Sequence, residues 1–332
     1  MYFKLKNVIL KVLKKMGLFR LFKFLNSSKI PVLCYHGVSI NDEHLFMPGN
    51  FIQFEVFKKR IEAIESLGYK IISLDQALEM HKSKQIEKNS VVLTIDDAFI
   101  PIFDELIPFL VKKQIPITCY VTSYKSLHQV PIFRLVCQYF FWKTKRDTFN
   151  LEHEKLGSKK WSIAQDMWKF ISEVEEKFTR EERELLLAEI SKELEVQYTN
   201  DIRKTFSIAS HDLLDKFKSK IDIQLHTHYH NMELPLQRLE EDMLLNREYL
   251  KDLNEKKQIH FCYPSGVWNS KHFDLLEKNG VVTATTCDSG LMGIDTHLYK
   301  IPRIIDSNKM SQIVFESELC GFNSFLRKLI NK

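Results

Sequence analysis

The sequence predicts an α/β fold built on a parallel sheet, open or closed as a barrel. Two observations predict it. Short apolar runs alternate with segments of helical periodicity along most of the chain, and polar residues recur directly after those runs. In both kinds of parallel sheet, sites form at the C-terminal ends of the strands. His36, Asp96, Asp97, His226 and Tyr263-Pro264 all fall at such ends.

The elements follow in order. Pro31–Tyr35 is an apolar run ending at His36-Gly37 and reads as a first strand. Phe54–Leu67 has helical spacing through Phe57, Ile61 and Ile64 and stops at Gly68, the usual place for a left-handed cap. Tyr69–Ser73 reads as a strand and Leu74–His81 as a helix. Ser90–Ile95 is the strongest strand signal, and Asp96-Asp97 stands at its end. Pro101–Lys113 reads as a helix and Ile117–Val121 as a strand. From about 126 to 215 the alternation breaks into charged, mainly helical text. This predicts a helical insertion between two strands, since lengthening a loop adds little closure entropy. Alternation resumes with strand Ile221–Leu225, helix Leu236–Leu253, strand Ile259–Tyr263, helix Ser270–Asn279 and strand Val281–Thr285.

A chain of 332 residues with 44% hydrophobic and 27% charged content can bury a full core, which excludes disordered and fibrous classes. The net charge of +5 is unevenly placed. Residues 1–41 carry eight Lys or Arg and no acid, leaving the remainder at about −3. No basic stripe marks the body, so no nucleic-acid partner is expected. The six cysteines are scattered without a CxxC pair, as expected of reduced core residues in a reducing, cytoplasmic compartment.

Lysines interrupt the first 29 residues too often for a secretory signal, and no later stretch reaches the ~18 apolar residues of a membrane span. Phe3 to Leu25 instead predicts a basic amphipathic helix, with Val8, Ile9, Val12, Leu13, Met16 and Phe19 at helical spacing. Two readings stand: a helix packed on the body with its lysines in water, or a helix lying on an anionic membrane, peripheral on the inner face.

Two adjacent carboxylates at a strand end, Asp96-Asp97, repel unless a cation is near. Taken alone, the pair also suits a helix N-terminus before Pro101. His226-Thr227-His228-Tyr229-His230 places three histidines in five residues, and imidazoles at i and i+4 can converge on one ion. A surface histidine cluster is the plainer alternative. Together the two segments supply two histidines and a carboxylate with open positions, a set that suits catalysis by Zn²⁺ or a similar divalent ion. Phe261-Cys262-Tyr263-Pro264-Ser265-Gly266 ends a strand in a proline–glycine turn.

In this order the segments resemble the polysaccharide deacetylase (NodB-homology, carbohydrate esterase 4) family. Thr94-Ile95-Asp96-Asp97-Ala98 is similar to its T-F-D-D-G motif, His226–His230 to its H-[ST]-x-x-H motif, and Phe261–Gly266 to F-x-Y-P-x-G. Cys34–Val38 and Leu298–Arg303 also resemble segments of a branch whose first strand supplies a histidine. The resemblance implies a distorted (β/α) barrel over residues 30–325, interrupted by the insertion and preceded by the helix of residues 1–29. It further implies one divalent metal ion, zinc above others, on Asp97, His226 and His230. Asp96 would be the general base, His36 the general acid, and Tyr263, with its backbone N–H, would lie beside Pro264 near the oxyanion. The implied reaction is hydrolysis of an N-acyl group, chiefly N-acetyl, on an amino sugar of a polysaccharide or its lipid-linked precursor. Deformylation, or saccharide binding without turnover, are the alternatives. Ala98 departs from the motif glycine, so a left-handed backbone there would be strained.

Overall fold

The structure is a computed structural model and describes residues 2–254 and 256–330; Met1, the start of the expected N-terminal segment, lies outside them. Eight parallel strands form the main sheet: β1 (Val32–Tyr35), β2 (Lys70–Ile72), β3 (Ser90–Ile95), β4 (Thr118–Val121), β5 (Asp222–Leu225), β6 (His260–Cys262), β7 (Thr283–Thr285) and β8 (Ile304–Ile305). Their order is β7-β6-β5-β4-β3-β1-β8, with β2 also on β3. Ile301, just before β8, bridges Thr285 of β7, so the two ends of the sheet approach each other in a distorted (β/α) barrel.

These strands are buried on both faces, one apolar and the other carrying buried polar residues such as Thr94, Thr118, Gln224 and Thr283, as a sheet covered by helices requires. Ser90–Ile95 is buried throughout, and so are Val32–Tyr35 and Thr118–Val121. Helices Phe54–Ser66, Leu74–Lys82, Leu236–Leu250 and Lys271–Lys278 cover the sheet near their expected positions. Ser73 starts the second of these with a capping box, its Oγ accepting from the Gln76 N–H while the Gln76 side chain accepts from the Ser73 N–H. The helix expected over Pro101–Lys113 is split into a 3-10 turn, Ile100–Phe103, and an α-helix, Leu106–Lys112.

The register positions the site. Tyr35 of β1 pairs with Ile95 of β3, and Leu225 of β5 pairs with Val121 of β4 and Phe261 of β6. The residues that follow, His36, Asp96 and His226, therefore leave the sheet on one edge.

The insertion is not purely helical. Its helices, among them Phe133–Lys143, Ile163–Lys177 and Arg180–Glu193, surround an antiparallel hairpin of Thr148–His153 with Gly157–Ser162. Phe149, Leu151 and Trp161 point inward from that hairpin to a separate apolar core that includes Phe140, Phe170 and Phe206. The alternation of Phe149 and Leu151 spans too few residues to stand out in the sequence.

The single N-terminal helix expected over Phe3–Leu25 is two helices, α1 (Tyr2–Lys15) and α2 (Leu18–Leu25), broken at Gly17 with φ 84°. Leu10 and Phe19 are buried against Ile313, Cys320 and Phe322 of the C-terminal helices Gln312–Leu319 and Phe322–Ile330. Packing on the body thus accounts for one face. The opposite face stays open: Leu5, Val8, Ile9, Val12 and Met16 are 48–69% exposed, and Leu21, Phe24 and Leu25 continue the apolar surface on α2. No helix among the described residues is long and apolar enough to cross a membrane.

Candidate metal centre and active site

Asp97, His226 and His230 converge at the strand ends. Asp97 Oδ1 lies 3.4 Å from His226 Nε2 and 3.3 Å from His230 Nε2, and one donor atom from each residue falls within 4.8 Å of the others. His226 Nδ1 is 2.8 Å from the Cys262 carbonyl. Nδ1 donates there, which turns Nε2 toward Asp97. Burial lowers the His226 pKa, but Cys262, Asp97 and Asp96 outweigh it and raise it well above the usual value, so without an ion Nε2 donates to Asp97. Burial lowers the His230 pKa to about 4 against the pull of Asp97, so this ring is neutral at pH 7. Burial raises Asp97, but His230 and His226 outweigh it and hold the carboxyl at about 2. An ionised carboxylate, a neutral His230 and a His226 whose Nε2 proton a cation would displace fit a divalent ion with positions left open. The chemistry of the donors does not select zinc over its neighbours.

The backbone is bent to achieve this. Of the ten non-glycine residues at positive φ among the described residues, five stand in the three motifs: Asp97, Ala98, Thr227, His230 and Ser265. Ala98 has φ 66° and is fully buried, so the alanine occupies a left-handed position. Gly266 also has positive φ, and a Cβ on it would lie 2.7 Å from the Cys287 Cβ, so only glycine fits this turn.

Asp96 is buried beside the cluster, with one oxygen within 4.8 Å of a His226 nitrogen, and is held by Arg303. Arg303 Nη1 and Nη2 each lie 2.7 Å from one Asp96 oxygen, and Arg303 Nε donates to the Thr286 carbonyl. Burial raises the Asp96 carboxyl, yet the Arg303 charge and its hydrogen bonds win and hold it far below the carboxylate range. The Cys34 and Cys262 thiols approach Asp96 Oδ2 at 3.5 and 3.3 Å. His36 Nε2 is 3.8 Å from the same oxygen, and His36 Nδ1 is buried without a partner.

Tyr263 sits otherwise than the resemblance implies. Its backbone N–H donates to the Thr285 carbonyl at 3.2 Å and its hydroxyl to the Tyr299 carbonyl at 3.0 Å. The N–H belongs to the sheet and is not free for an oxyanion. Pro264 is buried in the adjoining 3-10 turn.

Three supporting residues were not singled out from sequence. Arg303 lies in the Leu298–Arg303 segment, to which the resemblance gives no role. Asp242 and Asn246, one turn apart on helix Leu236–Leu250, hold the histidine loop. Asp242 accepts the N–H groups of His228 and Tyr229 at 2.7 and 2.8 Å. Asn246 accepts the His226 N–H at 3.0 Å and donates to the Val121 carbonyl and Ser123 Oγ. A buried Asp and Asn at i, i+4 on the helix after a histidine motif is the signal that would have found them. His228 turns aside, with Nδ1 2.8 Å from Ser123 Oγ. The insertion reaches the rim, where the Arg180 guanidinium lies 3.5 Å over the Tyr124 ring and 5.1 Å from that of Tyr229.

Such a site, at the C-terminal edge of a parallel barrel, places residues that could hold a metal ion where barrel sites form. Solved structures place the fold. A Streptococcus pyogenes deacetylase, PplD, in complex with acetate superposes with TM-score 0.59 at 15% identity, covering 88% of this chain and 98% of that one. IcaB from Ammonifex degensii gives 0.56 at 15% identity over 88% and 97%. A de-N-acetylase from Aggregatibacter actinomycetemcomitans gives 0.53 at 12% over 87% and 99%. No family model and no curated protein matches the sequence. The chain has the polysaccharide deacetylase fold.

Proposed function

We propose that this protein is a metal-dependent hydrolase that removes an N-acyl group, chiefly N-acetyl, from an amino sugar of a polysaccharide or of its lipid-linked precursor. The observation that carries the reading is the convergence of Asp97, His226 and His230 beside an Asp96 fixed by Arg303. Asp97, His226 and His230 would hold a divalent ion, zinc in the first instance. Bound there, it would polarise the acyl carbonyl and lower the pKa of water.

The remaining steps belong to the chain. Asp96, ionised, takes the proton of the attacking water as the water oxygen bonds to the acyl carbon. His36, on the far side of Asp96 Oδ2, gives a proton from Nε2 to the nitrogen as the carbon–nitrogen bond breaks. The products are a carboxylate and the free amino sugar. Tyr263 and Pro264 would stand near the oxyanion, the Tyr263 N–H being engaged by Thr285.

The exposed apolar face of α1 and α2, flanked by lysines, supports a peripheral membrane position. That is where a lipid-linked precursor would be met. Six free cysteines, five of them buried, fit the reducing, cytoplasmic side.

The test pairs metal analysis with acetate and formate release from a panel of N-acetylated and N-formylated amino sugars. The wild type is expected to hold about one ion and release acid, and Asp97→Ala and His226→Ala to lose both. Release without metal would end the mechanism. Bound metal with no release from any N-acylated sugar would favour saccharide binding without turnover.

A further inference from the structure

A cleft of about 680 Å³ lies between the α1–α2 corner and helix Gln312–Leu319. Its floor is apolar, with Phe19 and Ile313 buried at its base. Its walls carry Lys11, Lys14, Lys15, Arg20 and Lys23 against a single carboxylate, Glu316. That acid is already paired with Lys14, and the Lys23 ammonium donates to the Leu67 carbonyl and lies 4.8 Å from the Tyr69 ring centroid. Lys11, Lys15 and Arg20 are exposed, and among the described residues none has an acidic partner. Three uncompensated cations around an apolar floor call for a ligand that is anionic at one end and apolar at the other.

The surroundings point to the source of that ligand. Leu5, Val8, Ile9, Val12 and Met16 recur at helical spacing on the outer face of α1, opposite the face that buries Leu10. At about 100° per residue, Lys4, Lys11 and Lys15 fall together on one flank of this ridge. An apolar ridge with a lysine rim is the layout of a helix at the headgroup–acyl boundary, where long cationic side chains reach outward to phosphates. A nucleic acid would call for a polar groove with stacking rings, and a soluble phosphate ester has no use for the apolar floor.

We propose that this cleft binds the headgroup of an anionic phospholipid. The lipid phosphate sits among Lys11, Lys15 and Arg20, and the upper acyl chain lies against Phe19 and Ile313. The outer faces of α1 and α2 rest in the same leaflet. The site thus gives the membrane contact a preference for anionic lipid. The inference rests on the peripheral membrane position put forward above, and its test separates the two.

The full-length protein is co-sedimented with vesicles of phosphatidylcholine alone and with added phosphatidylglycerol, at low and high salt. Binding is expected to the phosphatidylglycerol vesicles, weakening as salt rises. The double variant Lys15→Gln/Arg20→Gln should lower that binding by about 25-fold, roughly fivefold per cation removed, while keeping the wild-type melting temperature. Val8→Glu/Val12→Glu should abolish binding to every vesicle. If the valine variant loses binding but the Lys15/Arg20 variant keeps it undiminished, the membrane position stands and the lipid site is overturned. If the wild type binds no vesicle, both fall. Inorganic phosphate is the competitor: displacement by phosphate at the lipid's own concentration would show a free-phosphate site and overturn the lipid.

Discussion

Asp96 and Arg303 meet in a fully buried fork, two parallel hydrogen bonds of 2.7 Å between a residue at the end of β3 and one just before β8. The pairing keeps Asp96 ionised and fixes its plane, with Oδ2 turned toward His36. Arg303→Met leaves a buried carboxylate alone, and the expected cost is about 3–5 kcal/mol in denaturant unfolding. Arg303→Lys restores the charge without the fork. Most of the stability should return with metal content intact, while kcat falls at least about tenfold and KM changes little. Equal kcat in Arg303→Lys and wild type would show that Arg303 only balances charge.

Asn246 ties the histidine loop to β4 and helix Ser123–His128. Asn246→Ala leaves the His226 N–H and the Val121 carbonyl without partners, at an expected cost of about 2–3 kcal/mol. Because His226 would then be held less firmly, zinc affinity measured by chelator competition should fall about 10–100-fold. Unchanged affinity would mean that the Cys262 carbonyl alone orients the ring.

Ala98 tests how strained the Asp97-Ala98 turn is. Two effects oppose each other in Ala98→Gly: relief of a left-handed alanine, about 1–2 kcal/mol, against loss of a buried methyl and a freer unfolded chain, of similar size. The net change in unfolding free energy should stay within about 1 kcal/mol. Ala98→Val has no such offset, since a β-branched residue at positive φ is an outlier, and it should cost more than about 2 kcal/mol. A large gain of turnover in Ala98→Gly would show that the methyl obstructs substrate.

Lys125 stands near the rim of the site, and no acidic partner is found for it among the described residues. Burial lowers its pKa from 10.5 to about 8; Glu175 opposes this, and Arg180, Arg134 and Arg183 add to it. With the folded value depressed, the unfolded chain holds the extra proton between pH 8 and 10.5, so stability from this group rises with pH through that window. Lys125→Met should therefore be more stable than wild type at pH 7, by up to about 3 kcal/mol. The difference should shrink toward pH 10.5, as measured by urea unfolding across that range. A difference constant with pH would assign the gain to packing instead.

The sequence by itself determined the strands and what stands at their ends. Ser90–Ile95 is a short run with four apolar residues, most of them β-branched, which suits a buried strand, so β3 and the placement of Asp96 and Asp97 were legible. The spacing of His226 and His230 was legible for the same reason, being local. What only the tertiary structure decided lies far apart in the chain. Arg303 finds Asp96 across 207 residues, and the Cys262 carbonyl fixes the His226 tautomer across 36. Neither partner has a periodicity or a turn residue to announce it. The Tyr263 N–H went to the sheet because β6 and β7 pair in a register that no local pattern sets. The N-terminal segment shows the division most plainly. Its residues announced an amphipathic helix, but which apolar face met the body and which stayed open depended on the C-terminal helices nearly 300 residues away, because packing partners, unlike propensity, are supplied by the whole fold.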